Sequence, residues 1–381
     1  MTKVGQKYWI WLAQSLGAGV KTDKIFSAFK TPLDIYNASA EDRSASGVFT
    51  KRQAEKLSEY TLEDAEKIIS DCERNGWKII TPEDIIYPAG LRRISNMPFV
   101  LYVDGDISCL RGKVMIGVVG TRNPGLEGVT VAHNFCTDMA AAGAVIVSGG
   151  ALGIDSAAHE GALFAGGKTV CVLGCGFGTR YLMENEALRR DISKNGAVVT
   201  EYPPYTAASR ITFPTRNRII SGMSHAVLVV EAGEKSGSLI TARTAKEQSR
   251  EVFAVPGNVL TSAYTGANRL ISAREAKVAM NANDVLEPYA VIYPDRLKLE
   301  MIGKIKYGEY ADEKKIPEGI DGEMAEVYKC LGKEPLHFDE IVAATGLSHS
   351  KAVTAIMQLE LADYIKETES KKYIINKMGV R

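Results

Sequence analysis

The sequence predicts an α/β protein with an extended Rossmann-like, doubly wound and mostly parallel sheet, flanked by an N-terminal helical bundle and a C-terminal winged helix. Three observations support this prediction. Short β-branched runs alternate with helical stretches in the middle of the chain, helix formers dominate before them, and three short helical stretches followed by two strand-like runs come after them. We expect a helical domain (1–80), a Rossmann-like domain (81–290), a linker (291–317) and a winged helix (318–381).

Residues 1–80 are predicted to form a bundle of short helices, similar to a sterile alpha motif. Turn signals interrupt the helix formers at LGAGVKTDK, FKTPLDIY and SASGVFT. The stretch LGAGVKT resembles a degenerate helix-hairpin-helix, whose glycine-rich turn offers backbone N–H groups to a DNA phosphate. We favour the alternative, in which this segment is a plain helical packing module.

The Rossmann-like prediction depends on six short runs that are rich in β-branched residues. Their near-continuous apolar character indicates strands that are buried on both faces, and the lengths between most of them fit crossover helices. A parallel sheet follows from that connection. The runs are VMIGVVG, AVIVSGG, TVCVLGCG, AVVTEYP, HAVLVVEAG and EVFAVPG.

The last part of the chain has the pattern of a winged helix. Residues 291–317 lose periodicity and gain charge, and three helical stretches and a β-hairpin follow them. GLS at 346–348 supplies the tight turn before the second helix of a helix-turn-helix. That recognition helix would begin with His349, Ser350 and Lys351. Because the first residues of this helix carry little charge, binding of DNA bases and docking of another protein are equally supported as its role.

Composition excludes several classes of protein. The chain has 46 Lys and Arg residues against 46 Asp and Glu residues, so it has no global basic field and any anion site must be local. The six Cys residues form no C-x-x-C pair and the five His residues are scattered, so we expect free thiols in a reducing compartment and no metal site. No run reaches the apolar length of a membrane span. The protein is therefore expected to be cytoplasmic.

The stretch GALFAGGKTVCVLGCG has the letters of a phosphate-binding P-loop without its spacing or order. Five residues rather than four separate Gly161 from the Gly167-Lys168-Thr169 triplet. Helical sequence precedes the glycines and a strand-like run follows them, which is the reverse of a P-loop. Lys168 is therefore predicted to open a strand.

The loops that follow the predicted strands indicate an anion site. Ligands of open α/β sheets bind beyond the carboxyl ends of the strands, where small residues allow close approach and helix N-termini favour negative charge. We expect the arginines there to be unpaired, because none of these loops supplies a carboxylate in its first positions. The predicted phosphate-binding residues are Gly120, Thr121 and Arg122 after the first strand, Gly149, Gly150 and Gly153 after the second, Arg216, Asn217 and Arg218 before the fifth, and Ser236, Gly237 and Ser238 after it.

Other chemistry finds little support in the sequence. The first loop lacks G-x-G-x-x-G, and Ser148 stands where a ribose-binding carboxylate is expected, so no nicotinamide or flavin cofactor is predicted. Asp155 and His159 lie four residues apart, and we favour a helix cap and packing against the sheet over a general base and its partner. Glu231 is isolated at a strand end. We therefore predict no catalytic residue and no cofactor.

Taken together, these stretches closely resemble the DNA-processing protein A family, DprA, also called Smf. The matches include GVVGTRNPGLEG, VSGGALGIDSAAHEGAL and FPTRNRIISGMSHAVLVVEAGEKSGSLITARTAKEQSREVFAVPGN. They run in family order, and the helical bundle and winged helix complete the family architecture. The matching stretches are 87–106, 117–128, 147–163, 213–258 and 266–276.

The resemblance implies a protein that binds single-stranded DNA, protects incoming DNA and loads the RecA recombinase during natural transformation and recombination. It also implies a homodimer formed through the Rossmann-like domain, and neither nuclease nor ATPase activity. Single-strand-binding protein and competence regulators are further candidate partners. The family's Gly-Ser/Thr-Arg loop corresponds to Gly120, Thr121 and Arg122, and its phosphate-contacting lysine corresponds to Lys168.

One departure from the family concerns base stacking. Some members carry an aromatic residue near the start of the third strand, where this chain has Cys171. Nonspecific single-strand binders join a cationic groove to aromatic stacking, and the resemblance with the predicted loops gives Arg122, Lys168, Arg216 and Arg218 for the groove. The candidate stacking residues are Phe177, Tyr181, Tyr202 and Phe213.

Two other functions compete with DNA binding. A nucleotide phosphoribohydrolase of the cytokinin-activating type shares a Rossmann-like sheet, but aligning SGSLITA with its G-G-x-G-T-x-x-E loop puts Thr241 in place of the required glutamate. A winged-helix regulator that uses the sheet as a sensor is favoured by the C-terminal segment, although no effector fingerprint accompanies it. We therefore predict a binding protein rather than an enzyme.

Overall fold

The computed structural model describes residues 3–305, 320–331, 335–362, 364–368 and 372–375. They form two compact units, one within Met1–Lys306 and the other within Tyr307–Arg381. Within the described ranges, no helix has both the length and the apolar character needed to cross a membrane.

Six short helices precede the sheet, as the sequence predicts. Capping boxes begin four of them, in which a Thr or Ser side chain and the side chain three residues later each accept a hydrogen bond from the other's amide. Ile10 and Trp11 fill the core of the bundle together with Phe99 and Tyr102, which follow it in the chain. The helices are α1 (Lys3–Leu16), α2 (Thr22–Ala28), α3 (Pro32–Asn37), α4 (Ala40–Ala45), α5 (Lys51–Glu59) and α6 (Leu62–Asn75).

The centre of the first unit is a nine-stranded sheet. Its strands are β1 (Lys78–Ile80), β2 (Leu101–Gly105), β3 (Met115–Val119), β4 (Val145–Ser148), β5 (Thr169–Val172), β6 (Ala197–Thr200), β7 (Ala226–Val229), β8 (Glu251–Ala254) and β9 (Lys277–Val278). Their spatial order is β1-β2-β6-β5-β4-β3-β7-β8-β9. β2 pairs antiparallel with β1 and β6, and all other neighbours pair in parallel. The mostly parallel sheet is confirmed.

Helices cover both faces of this sheet, which confirms the doubly wound prediction. The central strands are buried on both sides: in β3, Ile116 and Val118 face the cluster that holds α7, α8 and α13, and Val119 faces the cluster that holds α10, α11 and α12. The seven helices are α7 (Leu126–Ala141), α8 (Ile154–Phe164), α9 (Glu186–Asn195), α10 (Thr212–Met223), α11 (Ser238–Glu247), α12 (Thr265–Ser272) and α13 (Ala282–Ile292).

The glycine-rich turn between α1 and α2 is docked on the sheet domain. Thr22, the first residue of α2, donates to the carbonyl of Ser95 from its amide at 2.8 Å and from its hydroxyl at 3.2 Å. The Thr22 side chain is buried by this contact. The contact supports the packing interpretation of LGAGVKT.

The predicted domain boundaries need adjustment at two places. β1 lies inside the segment assigned to the helical domain, so the sheet begins a few residues earlier than expected. On the other side, Leu297 packs into the core beneath α7 and α13, and the amide of Lys298 donates to the carbonyl of Ala142 at 2.9 Å. Residues 291–292 end α13, and residues 293–305 also belong to the sheet domain rather than to a linker. The remaining linker residues, 306–317, lie outside the described ranges.

The second unit is a winged helix, as predicted. Its helices are α14 (Gly322–Cys330), α15 (Phe338–Thr345) and α16 (His349–Leu361), and its strands are β10 (Leu336–His337), β11 (Ile365–Glu367) and β12 (Lys372–Ile375). The strands form an antiparallel sheet in the order β10-β12-β11. Lys351, at the start of α16, pairs with Glu323 of α14 at 2.6 Å between Nζ and Oε1. The positive charge of Lys351 at the start of α16 is thus paired within the winged helix.

Candidate functional site

A cleft of about 440 Å³ opens at the carboxyl edge of the sheet, and we call it the carboxyl-edge cleft. The loops after β3, β4 and β7 line it together with the first turns of α10. Parallel strands bring these loops together, which is the expected ligand position in such a sheet. Of the predicted phosphate-binding residues, those that line the cleft are Gly120, Thr121, Arg122, Arg216, Asn217, Ser236, Gly237 and Ser238.

The N-terminus of α11 forms one wall of the cleft. Ser238 begins this ten-residue helix, and its hydroxyl lies 2.8 Å from that of Ser236. The unpaired amides and dipole of a helix N-terminus favour an anion. Thr241, one turn along, also lines the cleft, and its buried hydroxyl has no hydrogen-bond partner among the described residues.

Arg122 and Lys235 are the exposed cations of the cleft. The guanidinium carbon of Arg122 lies 4.9 Å from the centre of the Phe213 ring, a cation–π distance. Lys235 stands in the glycine- and serine-rich loop just before α11, and the sequence analysis did not select it. A basic side chain next to that loop was the signal that could have identified it.

Arg216 lines the cleft, but the prediction that it is unpaired is wrong. The residue is 4% exposed, and its Nη1 donates to the carbonyl of Gly149 at 2.6 Å and to that of Val172. Burial lowers the pKa of Arg216, and the neighbouring carboxyl of Asp155 opposes that shift. Arg216 therefore ties α10 to the ends of β4 and β5.

Arg218 is also paired, contrary to the prediction. Its guanidinium forms a hydrogen-bonded ion pair with Glu201, and both side chains are buried. Arg218 does not line the carboxyl-edge cleft. The sequence does not show this pair, because Glu201 follows β6 and is not in the loops that hold the arginines.

Gly149, Gly150 and Gly153 do not line the cleft and instead support it from behind. Gly149 lies against the guanidinium of Arg216, and Gly153 lies against the backbone carbonyls of Thr121 and Arg122. Ile154, which begins α8, donates from its amide to the carbonyl of Thr121 at 3.2 Å. The loop after β4 thus positions the loop that carries Arg122.

Lys168 lies at the opposite edge of the sheet. It directly precedes β5, as predicted, so it is at the amino end of the parallel strands, whereas the cleft lies at their carboxyl ends. Its side chain is exposed, and its charge helps to lower the pKa of Asp106 after two larger contributions from hydrogen bonds with Ser108. The chain therefore does not form the predicted single groove of Arg122, Lys168, Arg216 and Arg218.

The four candidate stacking residues have different surroundings. Phe213 lines the cleft, and its ring centre lies 5.3 Å from that of Tyr181. Phe177 lies 5.2 Å from Trp77, and Phe177 and Tyr181 both line a neighbouring cavity. Tyr202 is 7% exposed and donates its hydroxyl to the carbonyl of Thr212 at 3.2 Å, so it offers no free face to a base.

Asp155 and His159 have structural contacts, but Asp155 is not the predicted helix cap, because the N-cap of α8 is Gly153 and no side chain caps this helix. Asp155 lies in the first turn of α8, and its Oδ2 accepts from the amide of Ala151 at 3.3 Å. Nδ1 of His159 lies 2.7 Å from the hydroxyl of Thr169, which itself donates to the carbonyl of Ile146. Because that hydroxyl has already given its proton, His159 donates from Nδ1 and packs as a neutral ring against β5.

Because His159 is buried and neutral, we expect the free energy of unfolding to fall in acid. Burial lowers the pKa of His159 to about 3, and the charge of Arg216 acts in the same direction. Below about pH 6.5 the unfolded chain takes up a proton that the folded protein refuses, so the free energy of unfolding falls by about 1.4 kcal/mol per pH unit until about pH 3. Urea unfolding at pH 7 and pH 5 should therefore show a larger loss for the wild type than for His159→Gln. Equal losses would contradict this role.

The described residues contain no group of three or more His, Cys, Asp or Glu side chains that could hold a metal ion. The six cysteines are free thiols, as the spacing predicts. Carboxylates are also few at the cleft, where Asp155 is the acidic side chain among the lining residues and accepts from the amide of Ala151 in the loop before α8. The local chemistry therefore favours binding of an anion.

The fold and the site together define a Rossmann-like protein with an anion-suited cleft, helices before the sheet and a winged helix after it. Residues 78–290 match the family described as DNA recombination-mediator protein A, and residues 311–369 match the DprA winged helix domain. The chain belongs to this DNA-processing family, DprA/Smf.

Similarity to individual proteins agrees with this assignment. The chain is 43% identical to the DNA processing protein DprA of Bacillus subtilis (strain 168) over 201 residues, which are 53% of this chain and 67% of that protein. It is 32% identical to the protein Smf of Escherichia coli (strain K12), over 83% of this chain and 82% of that protein.

Two solved structures are also similar. The DNA processing protein A of Streptococcus pneumoniae superimposes with a TM-score of 0.64 at 31% identity, over 74% of this chain and 97% of that one. The DNA processing protein A of Helicobacter pylori, described with a unique single-stranded DNA binding mode, superimposes with a TM-score of 0.52 at 29% identity, over 57% of this chain and 97% of that one.

Proposed function

We propose that this chain binds single-stranded DNA at the carboxyl-edge cleft. The observation that carries the proposal is the combination, in one open cleft, of exposed Arg122 and Lys235, the N-terminus of α11 and the ring of Phe213. Cations and helix amides bind phosphates, and an aromatic ring offers a stacking face that tolerates any base. The single-stranded DNA binding described for the Helicobacter pylori relative supports the same conclusion.

We further propose that the chain acts as a homodimer, protects incoming single strands and hands them to the RecA recombinase during natural transformation. Two exposed cations in each cleft neutralise few phosphates, so one protomer should bind weakly. Two clefts joined in a dimer gain affinity through effective concentration. Family membership supports these roles, and the winged helix is available for a further DNA or protein contact.

The proposal is for a binding and loading protein and not for an enzyme. A phosphoribohydrolase would need a carboxylate where Thr241 lines the cleft, and the Asp155 carboxyl is committed to the amide of Ala151. Incubation with AMP should therefore release no adenine. Release of free base by wild-type protein, lost in Asp155→Asn, would favour the hydrolase.

Salt dependence tests the site. Four phosphate contacts in a dimer predict a log–log slope of about −3 for fluorescent oligo-dT, since each contact on a single strand contributes about −0.7. Arg122→Ala removes one contact from each protomer, so the slope should fall to about −1.4 and the affinity at low salt should decrease. Lys235→Ala should act in the same way. Fluorescence anisotropy at several salt concentrations measures both quantities.

Lys168→Ala is the matched control, because it removes an exposed cation from the other edge of the sheet. We expect it to leave the slope and the affinity unchanged. If Lys168→Ala weakened binding while Arg122→Ala did not, the DNA path would run along the amino edge and the proposed cleft would be wrong. RecA loading is tested separately, by the onset of RecA ATPase on single strands covered with single-strand-binding protein.

A further inference from the structure

A second cavity of about 460 Å³ lies beside the carboxyl-edge cleft, and we call it the aromatic cavity. The loop after β5 forms one side of it, and the end of α6 with the start of β1 forms another. Four rings line this cavity: Trp77, Phe177, Tyr181 and Tyr205. The N-terminal segment thus contributes to it directly, through Asn75 at the end of α6 and Trp77 just after that helix.

Tyr205 holds an unusual position for an aromatic side chain. It is 64% exposed, and its ring lies flat enough on Gly178 that a Cβ there would come within 2.6 Å of two ring carbons. The amide of Gly178 donates to the carbonyl of Pro204 at 2.7 Å, which fixes the two segments against each other. An exposed ring that is held in place by backbone contacts is suited to stack with a planar ligand.

The charged side chains of the aromatic cavity favour binding of a base within it and of a phosphate at its opening. Asp104 is a half-buried carboxylate, and burial raises its pKa while Lys78 opposes the shift. A carboxylate repels phosphate but accepts hydrogen bonds from the amino groups of cytosine and adenine. Arg180 is exposed and has no ion pair among the described residues, whereas Arg190 pairs with Glu186. Arg180 is therefore an exposed cation that is available to a neighbouring phosphate.

The aromatic cavity adjoins the carboxyl-edge cleft through a contact between two rings. Tyr181 lines the cavity and lies 5.3 Å from Phe213, which lines the cleft. Arg122 covers the same Phe213 ring at 4.9 Å. The Nη2 of Arg189 holds the backbone of Tyr181 through a hydrogen bond of 3.1 Å to its carbonyl. A row of rings with a cation at its end thus connects the two sites.

We propose that the aromatic cavity is a second nucleotide subsite, which takes a base of the same DNA strand that occupies the carboxyl-edge cleft. Tyr205 stacks on that base, Asp104 accepts from its amino group and Arg180 contacts the adjacent phosphate. This inference rests on the proposed function, because it assumes that a single strand already occupies the cleft. It gives the segment between α6 and β1 a part in DNA binding through Trp77, whereas the glycine-rich turn between α1 and α2 serves packing.

Tryptophan fluorescence reports directly on this cavity. The chain has three tryptophans, and Trp9 and Trp11 are buried at 5% and 1% exposure within the helical bundle, so Trp77 is the one that a bound base can reach. We expect d(AC) repeats to quench the emission once they are long enough to extend from the cleft into the cavity, and shorter repeats to bind without quenching. Trp77→Phe should abolish the quenching and keep most of the affinity, because a ring remains.

Variants of Tyr205 and Arg180 test the subsite without disturbing the core, since both side chains are exposed. Tyr205→Leu should weaken the binding of long repeats about tenfold, as expected for one lost base stack, and leave short repeats unaffected. Tyr205→Phe, which keeps the ring, should bind as the wild type does. Arg180→Ala should reduce the salt slope for long repeats only.

The outcomes separate this inference from the proposed function. If long repeats bind in an Arg122-dependent manner but neither quench Trp77 nor respond to Tyr205→Leu, the subsite is wrong and the cleft stands. If Arg122→Ala changes nothing for any length, the proposed function itself fails. Quenching by free AMP that equals the quenching by long repeats would show that the cavity takes a mononucleotide and would also overturn the inference.

Discussion

Glu201→Gln is expected to lower the free energy of unfolding by about 3–5 kcal/mol, because it leaves the charge of Arg218 buried without a counter-ion. Arg218 projects from α10 and Glu201 follows β6, and their side chains are only 4% and 5% exposed. A buried pair gains little over an apolar pair, but the loss of one partner is costly. Urea unfolding monitored by circular dichroism measures the difference.

The double variant Glu201→Leu with Arg218→Met is the control. It removes both charges and keeps similar volumes, so it should recover most of the lost stability. It should also bind single-stranded DNA as the wild type does, because Arg218 does not line the carboxyl-edge cleft. A stable double variant that lost DNA binding would instead identify Arg218 as a DNA contact, as the sequence analysis had it.

The contrast between Arg122 and Arg218 shows what the sequence could predict about the site. The parallel direction of the strands follows from the apolar runs and the lengths between them, so the loops after β3, β4 and β7 were expected to meet, and they do. The hydrogen-bond and ion-pair partners of each arginine could not be predicted in the same way. Arg216 is bound by backbone carbonyls, which leave no mark in the sequence, and Arg218 by a carboxylate on another strand.

The fold itself was predicted where strands are buried on both faces. The runs that became β3 to β8 are apolar on both faces, because helices cover both sides of the sheet. β1 and β9 have three and two residues, too few to show a period, and β2 joins the sheet in the antiparallel direction. Lys168 was placed correctly at a strand start, and its distance from the cleft follows from the direction of that strand.

Gly153→Ala is expected to destabilise the protein by about 3 kcal/mol and to weaken DNA binding as well, because the residue combines backbone strain with close packing. Its φ of 84° and ψ of −127° lie in a region that favours glycine. A Cβ would come within 2.6 Å of the carbonyl of Thr121 and 2.7 Å of that of Arg122. Those atoms are backbone and cannot rotate away, so the loop that carries Arg122 must move.

Gly125→Ala is the matched control for this effect. Gly125 lies in the same loop as Arg122, has a φ of −68° and would place a Cβ with no atom within 4 Å. We expect this variant to have nearly the same free energy of unfolding as the wild type and nearly the same affinity for oligo-dT. Gly153→Ala should then lose affinity even under conditions in which it is fully folded, since the displaced loop no longer holds Arg122 over Phe213. Wild-type affinity in folded Gly153→Ala would mean that the position of this loop does not govern DNA binding.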